Sequence, residues 1–482
     1  VPLLIERERY DVLYEYLQGV KSEDLRGELI ESHDIELGQG EMKLIINQST
    51  RLAVRIDTLE TQLDSLQADT TINHYEVDTL FIQLAELKEN YYKLAAQIRT
   101  DPDYAFTIGV SPTDIGGLRS KLAEGHSLLM AYSAEDQLLL FHVSKDGYNV
   151  RSVPVPRDSL DSLITRCREL CFDRGYSLLR KGKILDWDWE DDGSEFYATE
   201  VTPLKDALAT LYEHLIRPFE TELKESDIVS FIPSGNIYYV PWGALIDEEK
   251  DSTVFVSELY NWNILTSTDF FDCIYNRAEG KSKIPDKMLL VGNPAGIGTP
   301  LEFAEEEVIA IQGSYPNSTT LTGQDATEPG VQSSVLQNEV LHLATHCDLN
   351  PEDPWNSCIR LAPTDSSDGK WTVVEVTGQT WENVQLVTLS ACETALGGEK
   401  PGLEFESMAK AFSLAMEGPP AIVATLWSVF DPSTKEFMVT FYDELKDNPK
   451  SEALRLAQQK LIHSEYAHPF FWAPFILIGE WR

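Results

Sequence analysis

Two apolar runs constrain this chain more than any other feature. Val340-Leu341-His342-Leu343-Ala344-Thr345 leads into His346, and Val384-Gln385-Leu386-Val387-Thr388-Leu389-Ser390-Ala391 leads into Cys392. Each has the length and composition of a buried strand, and the chain between them is long enough for a crossover that returns parallel to the first. Helical and strand patterns alternate on both sides. Helix 203–224 precedes strand 228–233, and strand 288–292 precedes helix 302–312. After the two runs come helix 404–416, strand 421–427, helices 433–446 and 451–463, and a last strand at 475–478. This alternation specifies an α/β fold with a mostly parallel sheet flanked by helices. Reactive groups collect at the carboxyl ends of such strands. An imidazole and a thiol are thereby expected at one edge, the arrangement a cysteine nucleophile requires.

The first hundred residues follow another period. Ile45, Ser49, Leu52, Ile56, Leu59, Leu63 and Leu66 alternate steps of four and three, as do Val77, Leu80, Leu84, Leu87, Tyr91, Leu94 and Ile98. A sustained seam of this kind predicts coiled-coil helices over 41–102, with Thr70 and Asn73 at a hairpin tip or at a weak spot in one long helix, the hairpin being preferred, and Asp101-Pro102 as the stop. Residues 1–40 read as short amphipathic helices, the end of an upstream helical domain, and a first residue Val1 rather than Met fits a chain with more upstream. From 103 to 199 the pattern turns to strands at 128–132 and 138–143 and a helix over 160–179. An acidic stretch, Asp186-Trp187-Asp188-Trp189-Glu190-Asp191-Asp192-Gly193, is expected as an exposed loop. Residues 200–482 form the largest unit.

Lys and Arg number 39 against 79 Asp and Glu, a net charge of −40. So acidic a surface argues against nucleic acid or an anionic membrane as partner and is compatible with a basic peptide. Six cysteines in 482 residues are no disulfide framework. With no signal peptide and no apolar stretch long enough to span a bilayer, a reducing cytoplasm is the expected setting. Cys167 and Cys171 stand at helical i, i+4 spacing and read as structural thiols.

The flanks of the two runs carry a resemblance. Leu341-His342-Leu343-Ala344-Thr345-His346 and Leu389-Ser390-Ala391-Cys392-Glu393-Thr394 resemble the two signature blocks of the CHAT domain, a caspase-like peptidase module often carried behind tetratricopeptide repeats and related to separases and caspases. Further similar blocks are 231–242, Ala424-Thr425-Leu426-Trp427-Ser428-Val429-Phe430-Asp431, and His468-Pro469-Phe470-Phe471-Trp472-Ala473-Pro474-Phe475. The resemblance implies a caspase-like fold over 200–482, preceded at 103–199 by an inactive caspase-like half. It makes Cys392 the nucleophile and His346 the base, with the backbone N–H groups of Cys347 and Cys392 as oxyanion donors. Asp431 matches an acidic position that in separases lies in the S1 pocket, so cleavage after Arg or Lys is implied. The implied partners are a protein substrate, such as a gasdermin-like effector in bacterial defence, and an upstream sensor acting through the N-terminal helices.

Two positions depart from the family pattern. Cys347 stands where glycine is usual, and 398–406 lacks a short Gly-Glu-Gly pattern. These motivate an alternative from another class, a catalytically silent scaffold or signalling platform. His342 and His346, four apart beside Cys347, raise the question of a metal, but no acidic or cysteine cluster completes a tetrahedral site, so neither metal nor cofactor is expected. Asn293-Pro294-Ala295-Gly296-Ile297-Gly298 matches neither a P-loop nor a dinucleotide fingerprint and reads as a turn.

Overall fold

The computed structural model describes residues 115–248, 253–277, 285–298, 301–348, 357–390, 411–429 and 431–482, with isolated positions between 44 and 98. Of the expected seam, Ser49, Tyr91 and Ile98 are helical and buried, while Arg51, Arg55, Gln83, Asn90, Lys93 and Gln97 between them are exposed. The expected short helices of 1–40, the pairing of the two long helices and the tip at Thr70 and Asn73 lie outside the described residues.

The strands are β1 (His126–Ser133), β2 (Leu138–Val143), β3 (Tyr148–Val153), β4 (Ile228–Ile232), β5 (Trp262–Ile264), β6 (Met288–Pro294), β7 (Thr319–Gly323), β8 (Val340–Ala344), β9 (Cys347–Asp348), β10 (Cys358–Arg360), β11 (Lys370–Thr372), β12 (Leu386–Ser390), β13 (Ala421–Thr425) and β14 (Phe475–Gly479). Eleven of them form one sheet in the order β3-β2-β1-β4-β5-β14-β13-β12-β8-β6-β7, and β9 to β11 form a separate small antiparallel sheet. The principal helices are α1 (Arg157–Glu169), α2 (Thr202–Leu215), α3 (Glu302–Ser314), α4 (Asp431–Glu444) and α5 (Lys450–Ile462).

The large sheet contains two parallel blocks. β1, β4, β5 and β14 run one way, and β13, β12, β8, β6 and β7 run together. The blocks meet at the antiparallel pair β13–β14, so their strands point in opposite directions. The sheet is continuous across residues 199 and 200, because β1 pairs with β4. β4, β8, β12, β13 and β14 are buried along their whole length, as strands covered by helices on both faces must be. Helix 203–224 is broken in the structure. α2 stops at Leu215, and a 3-10 turn over Arg217–Phe219, with Pro218 inside it, separates it from Glu220–Leu223.

Helix α3 lies close on β6. A Cβ added to Gly292 would stand 2.8 Å from the Ala304 carbonyl oxygen and 2.8 Å from a Val308 methyl, so only glycine permits this approach. The acidic loop differs from its expectation in one respect. Asp188, Glu190, Asp191 and Asp192 are exposed, but Trp187 is 7% exposed and packs edge-on against His468 at 4.2 Å. Trp189 packs against Phe255 at 5.3 Å. The two tryptophans anchor the loop to the body of the protein.

Candidate active site

β8 and β12 are neighbouring parallel strands matched over five pairs, from Val340 opposite Leu386 to Ala344 opposite Ser390. In sequence, His346 is two residues past Ala344 and Cys392 two past Ser390. Residues 391–410 lie outside the described residues, and with them the Cys392 thiol, its backbone N–H and the glutamates 404 and 406. The structure therefore fixes the strand end from which Cys392 departs and the backbone bonds that hold its expected base.

Beyond Ala344 the chain bends at Thr345. The Thr345 hydroxyl donates to the Arg360 carbonyl at 2.6 Å, and the Arg360 N–H donates to the His346 carbonyl at 2.8 Å. These two bonds attach His346 to the small sheet and leave the residue half-buried at the edge. Cys347 follows at once as the first residue of β9, opposite Ile359 and 3% exposed. Among the described residues Asn293 is the sole non-glycine with positive φ. Cys347 thus needs no left-handed backbone, and the usual glycine is replaceable here without strain.

His342 is committed to protein partners. Its Nε2 lies 2.8 Å from Glu307 Oε1 and its Nδ1 3.1 Å from the Tyr442 hydroxyl, which donates onward to Thr388 Oγ1 at 2.8 Å. Burial raises the Tyr442 phenol well above its ordinary pKa, so the hydroxyl remains a donor. Among the described residues no cluster of three or more His, Cys, Asp or Glu is arranged to hold a metal. At the next strand over, Gly292 stands opposite Ala344. Of the turn expected at 293–298, Asn293 and Pro294 instead end β6 and the turn occupies 295–298; the Asn293 Oδ1 accepts from the Leu301 N–H at 2.8 Å.

Asp431 is the first residue of α4, six positions past Thr425 at the end of β13, the other neighbour of β12. Its side chain lies outside the described residues. The segment leading to it is held firmly. The Leu426 N–H donates to the Pro474 carbonyl at 2.9 Å, and the Trp427 indole donates to the Phe470 carbonyl at 3.1 Å. Arg168 of α1 donates to the Leu426 carbonyl at 3.3 Å with its guanidinium 4.3 Å from the Tyr239 ring centre. Arg168 escaped the reading of the sequence. The signal was a charged residue in line with Leu160 and Ile164 at four-residue steps on the buried stripe of α1.

No described helix is long and apolar enough to cross a membrane.

The chain is 24% identical to tetratricopeptide repeat protein 28 of Homo sapiens over 336 residues, and 24% identical to the Mus musculus protein of that name over 337. Each match takes in 57% of this chain but 13% of the relative's length. Among solved structures, the chain is similar to the Saccharomyces cerevisiae separase–securin complex, with TM-score 0.44 and 10% identity over 96% of this chain and 40% of that one. It is also similar to the complex of Porphyromonas gingivalis RgpB pro- and mature domains, with TM-score 0.37 and 10% identity over 57% and 68% of the two chains. Likeness at these scores assigns no activity. The family model "CHAT domain" matches residues 205–480, more than half of the chain and a stretch that contains His346, Cys392 and Asp431. The chain belongs to the CHAT domain family.

Proposed function

We propose that this protein is a cysteine endopeptidase in which His346 is the general base and Cys392 the nucleophile. One observation carries the reading: Ala344 and Ser390 are register partners at the carboxyl ends of adjacent parallel strands, and the imidazole and the thiol each follow two residues later. Parallel strands in register deliver the residues beyond them to a common edge. In this reading the thiol passes its proton to His346 and attacks the scissile carbonyl. The backbone N–H groups of Cys347 and Cys392 receive the oxyanion, a contribution of about 3 kcal/mol per donor. His346 then returns the proton to the departing amine. Family membership supports the assignment.

Asp431 is proposed as the S1 carboxylate that selects Arg or Lys at P1. Its support is its place one strand over from β12, at the start of α4. The proposed substrate is a protein partner, and the proposed control runs through the N-terminal helices. The bacterial-defence setting, with a gasdermin-like effector as target, rests on the resemblance alone.

The test is cleavage of a peptide library randomised around P1 by the full chain, beside Cys392→Ala and His346→Ala. Loss of cleavage in both variants supports the dyad. Retained cleavage in either rejects it, and a folded wild type with no turnover favours the silent scaffold.

A further inference from the structure

β8 and β12 are buried on both faces, and seven of their ten residues are apolar, the exceptions being His342, Thr388 and the terminal Ser390. A strand with one wet face has its register fixed by alternation, because a one-residue slip turns its apolar side outward. A strand apolar on both faces loses that control. The proposed dyad nevertheless depends on that register, since His346 and Cys392 follow these two strands in sequence.

The exceptions sit where a pin is needed. His342 and Thr388 are direct register partners. Both touch the same hydroxyl, that of Tyr442 on α4, and the chain of contacts closes on Glu307 of α3. All four residues are 0–2% exposed. Hydrogen-bonding groups that deep are costly unless partnered, so any slip of β12 along β8 separates Thr388 from the hydroxyl it shares with His342 and strands polar atoms in the core. A buried polar residue that fixes alignment at some cost in stability has precedent in coiled coils.

We propose that Glu307, His342, Tyr442 and Thr388 form a register pin, positioning residues that hold β8 and β12 in the alignment from which His346 and Cys392 meet. Their action is indirect: His342 and Thr388 each lie four residues before the reacting residue of their own strand, about 13 Å of extended chain. This inference rests on the peptidase reading for its catalytic consequence. Its structural content is the alignment of the two strands.

The experiment compares Tyr442→Phe and Thr388→Val with Thr388→Ser, which keeps the hydroxyl, and with Ser230→Ala. Ser230 belongs to a separate buried polar network, His126–Ser230–Asn263, in the other block of the sheet. Two readouts are taken: kcat and KM on the randomised peptide library, and hydrogen exchange of the peptides covering 340–346 and 386–392. Expected are a tenfold or greater fall in kcat with KM within twofold for Tyr442→Phe and Thr388→Val, and near wild-type kcat for Thr388→Ser and Ser230→Ala. Exchange in both strand peptides should rise at least tenfold in the first two variants alone. The pin is overturned if exchange there is unchanged in Tyr442→Phe, or if Ser230→Ala lowers kcat equally, which marks general destabilisation. A wild type without turnover rejects the peptidase reading, and the exchange data still decide the pin.

Discussion

Ala344 and Ser390 face each other across neighbouring parallel strands, the last matched pair before the chain continues to His346 on one side and Cys392 on the other. Around that pair the surroundings divide by function. The bend at Thr345 and its bonds to Arg360 set where His346 leaves the sheet. The strand on the far side of β12 leads to Asp431.

Asp431 is expected to set the P1 preference. Removing one partner of a desolvated charge pair costs about 2 kcal/mol or more, roughly thirtyfold in rate constant. Asp431→Ala should therefore lower kcat/KM for Arg and Lys substrates by at least that factor while sparing uncharged P1 residues. A P1 profile with no basic preference, unchanged by the substitution, removes Asp431 from the pocket.

Arg168 ties the block built from β1 to β5 to the segment that precedes Asp431. Its bond to the Leu426 carbonyl and its place over Tyr239 are both buried. A charge-assisted hydrogen bond and a cation–π contact together contribute about 2–4 kcal/mol. Arg168→Met, which keeps most of the bulk, should lower stability to urea by about that amount and speed hydrogen exchange over 426–429. Unfolding at the wild-type midpoint shows the contact to be idle.

Acid should destabilise the fold through two buried histidines. Burial lowers the His468 pKa to about 3, and burial together with the Arg482 charge lowers that of His126 to about 3. The unfolded chain takes up these protons near pH 6.5, whereas the folded chain does not until about 3. Stability is therefore full above pH 6.5 and falls between there and 3, by about 1.4 kcal/mol per pH unit for each histidine. His468 Nδ1 accepts the Phe470 N–H at 3.0 Å, so the neutral ring also caps the helix Pro469–Trp472. His468→Asn preserves an acceptor for that cap. Its unfolding free energy, measured from pH 7 to 5, should have a slope that becomes shallower by up to one proton toward pH 5. An unaltered slope places the acid sensitivity elsewhere.

Gly292→Ala tests the seat of α3 on β6. The added methyl meets a backbone oxygen and a valine methyl at 2.8 Å, and overpacking of this kind costs about 1–3 kcal/mol. Thermal unfolding should register the loss, and an unchanged midpoint means that α3 shifts away freely.

How much of this was legible beforehand depended on local signals. The long apolar runs marked β8, β12 and β13 because burial on both faces leaves an uninterrupted apolar string. β5 has three residues and β7 reads Thr319-Thr320-Leu321-Thr322-Gly323 at a sheet edge, so neither shows a period. Strand direction is invisible in a sequence, and the reversal between β13 and β14 came from the structure. Glu305-Glu306-Glu307 looks like a solvated face, yet Glu307 lies in the stripe with Ala304, Val308 and Ile311 and is 2% exposed. Helical spacing held that information, but charge masked it. Tyr442 and Thr388 became meaningful only when tertiary packing brought them to His342.

The central claim is that Cys392 is a nucleophile activated by His346. All five other cysteines are buried, and burial pushes the Cys171 and Cys358 thiols up in pKa, which leaves them poor nucleophiles. The most direct measurement is peptide-level mass spectrometry after treatment with an arginyl acyloxymethyl ketone, a probe that labels a thiol only when the catalytic machinery assists. The account predicts one adduct, on Cys392, lost in Cys392→Ala and strongly slowed in His346→Ala. An unlabelled Cys392 in the folded wild type, or labelling as fast without His346, contradicts it.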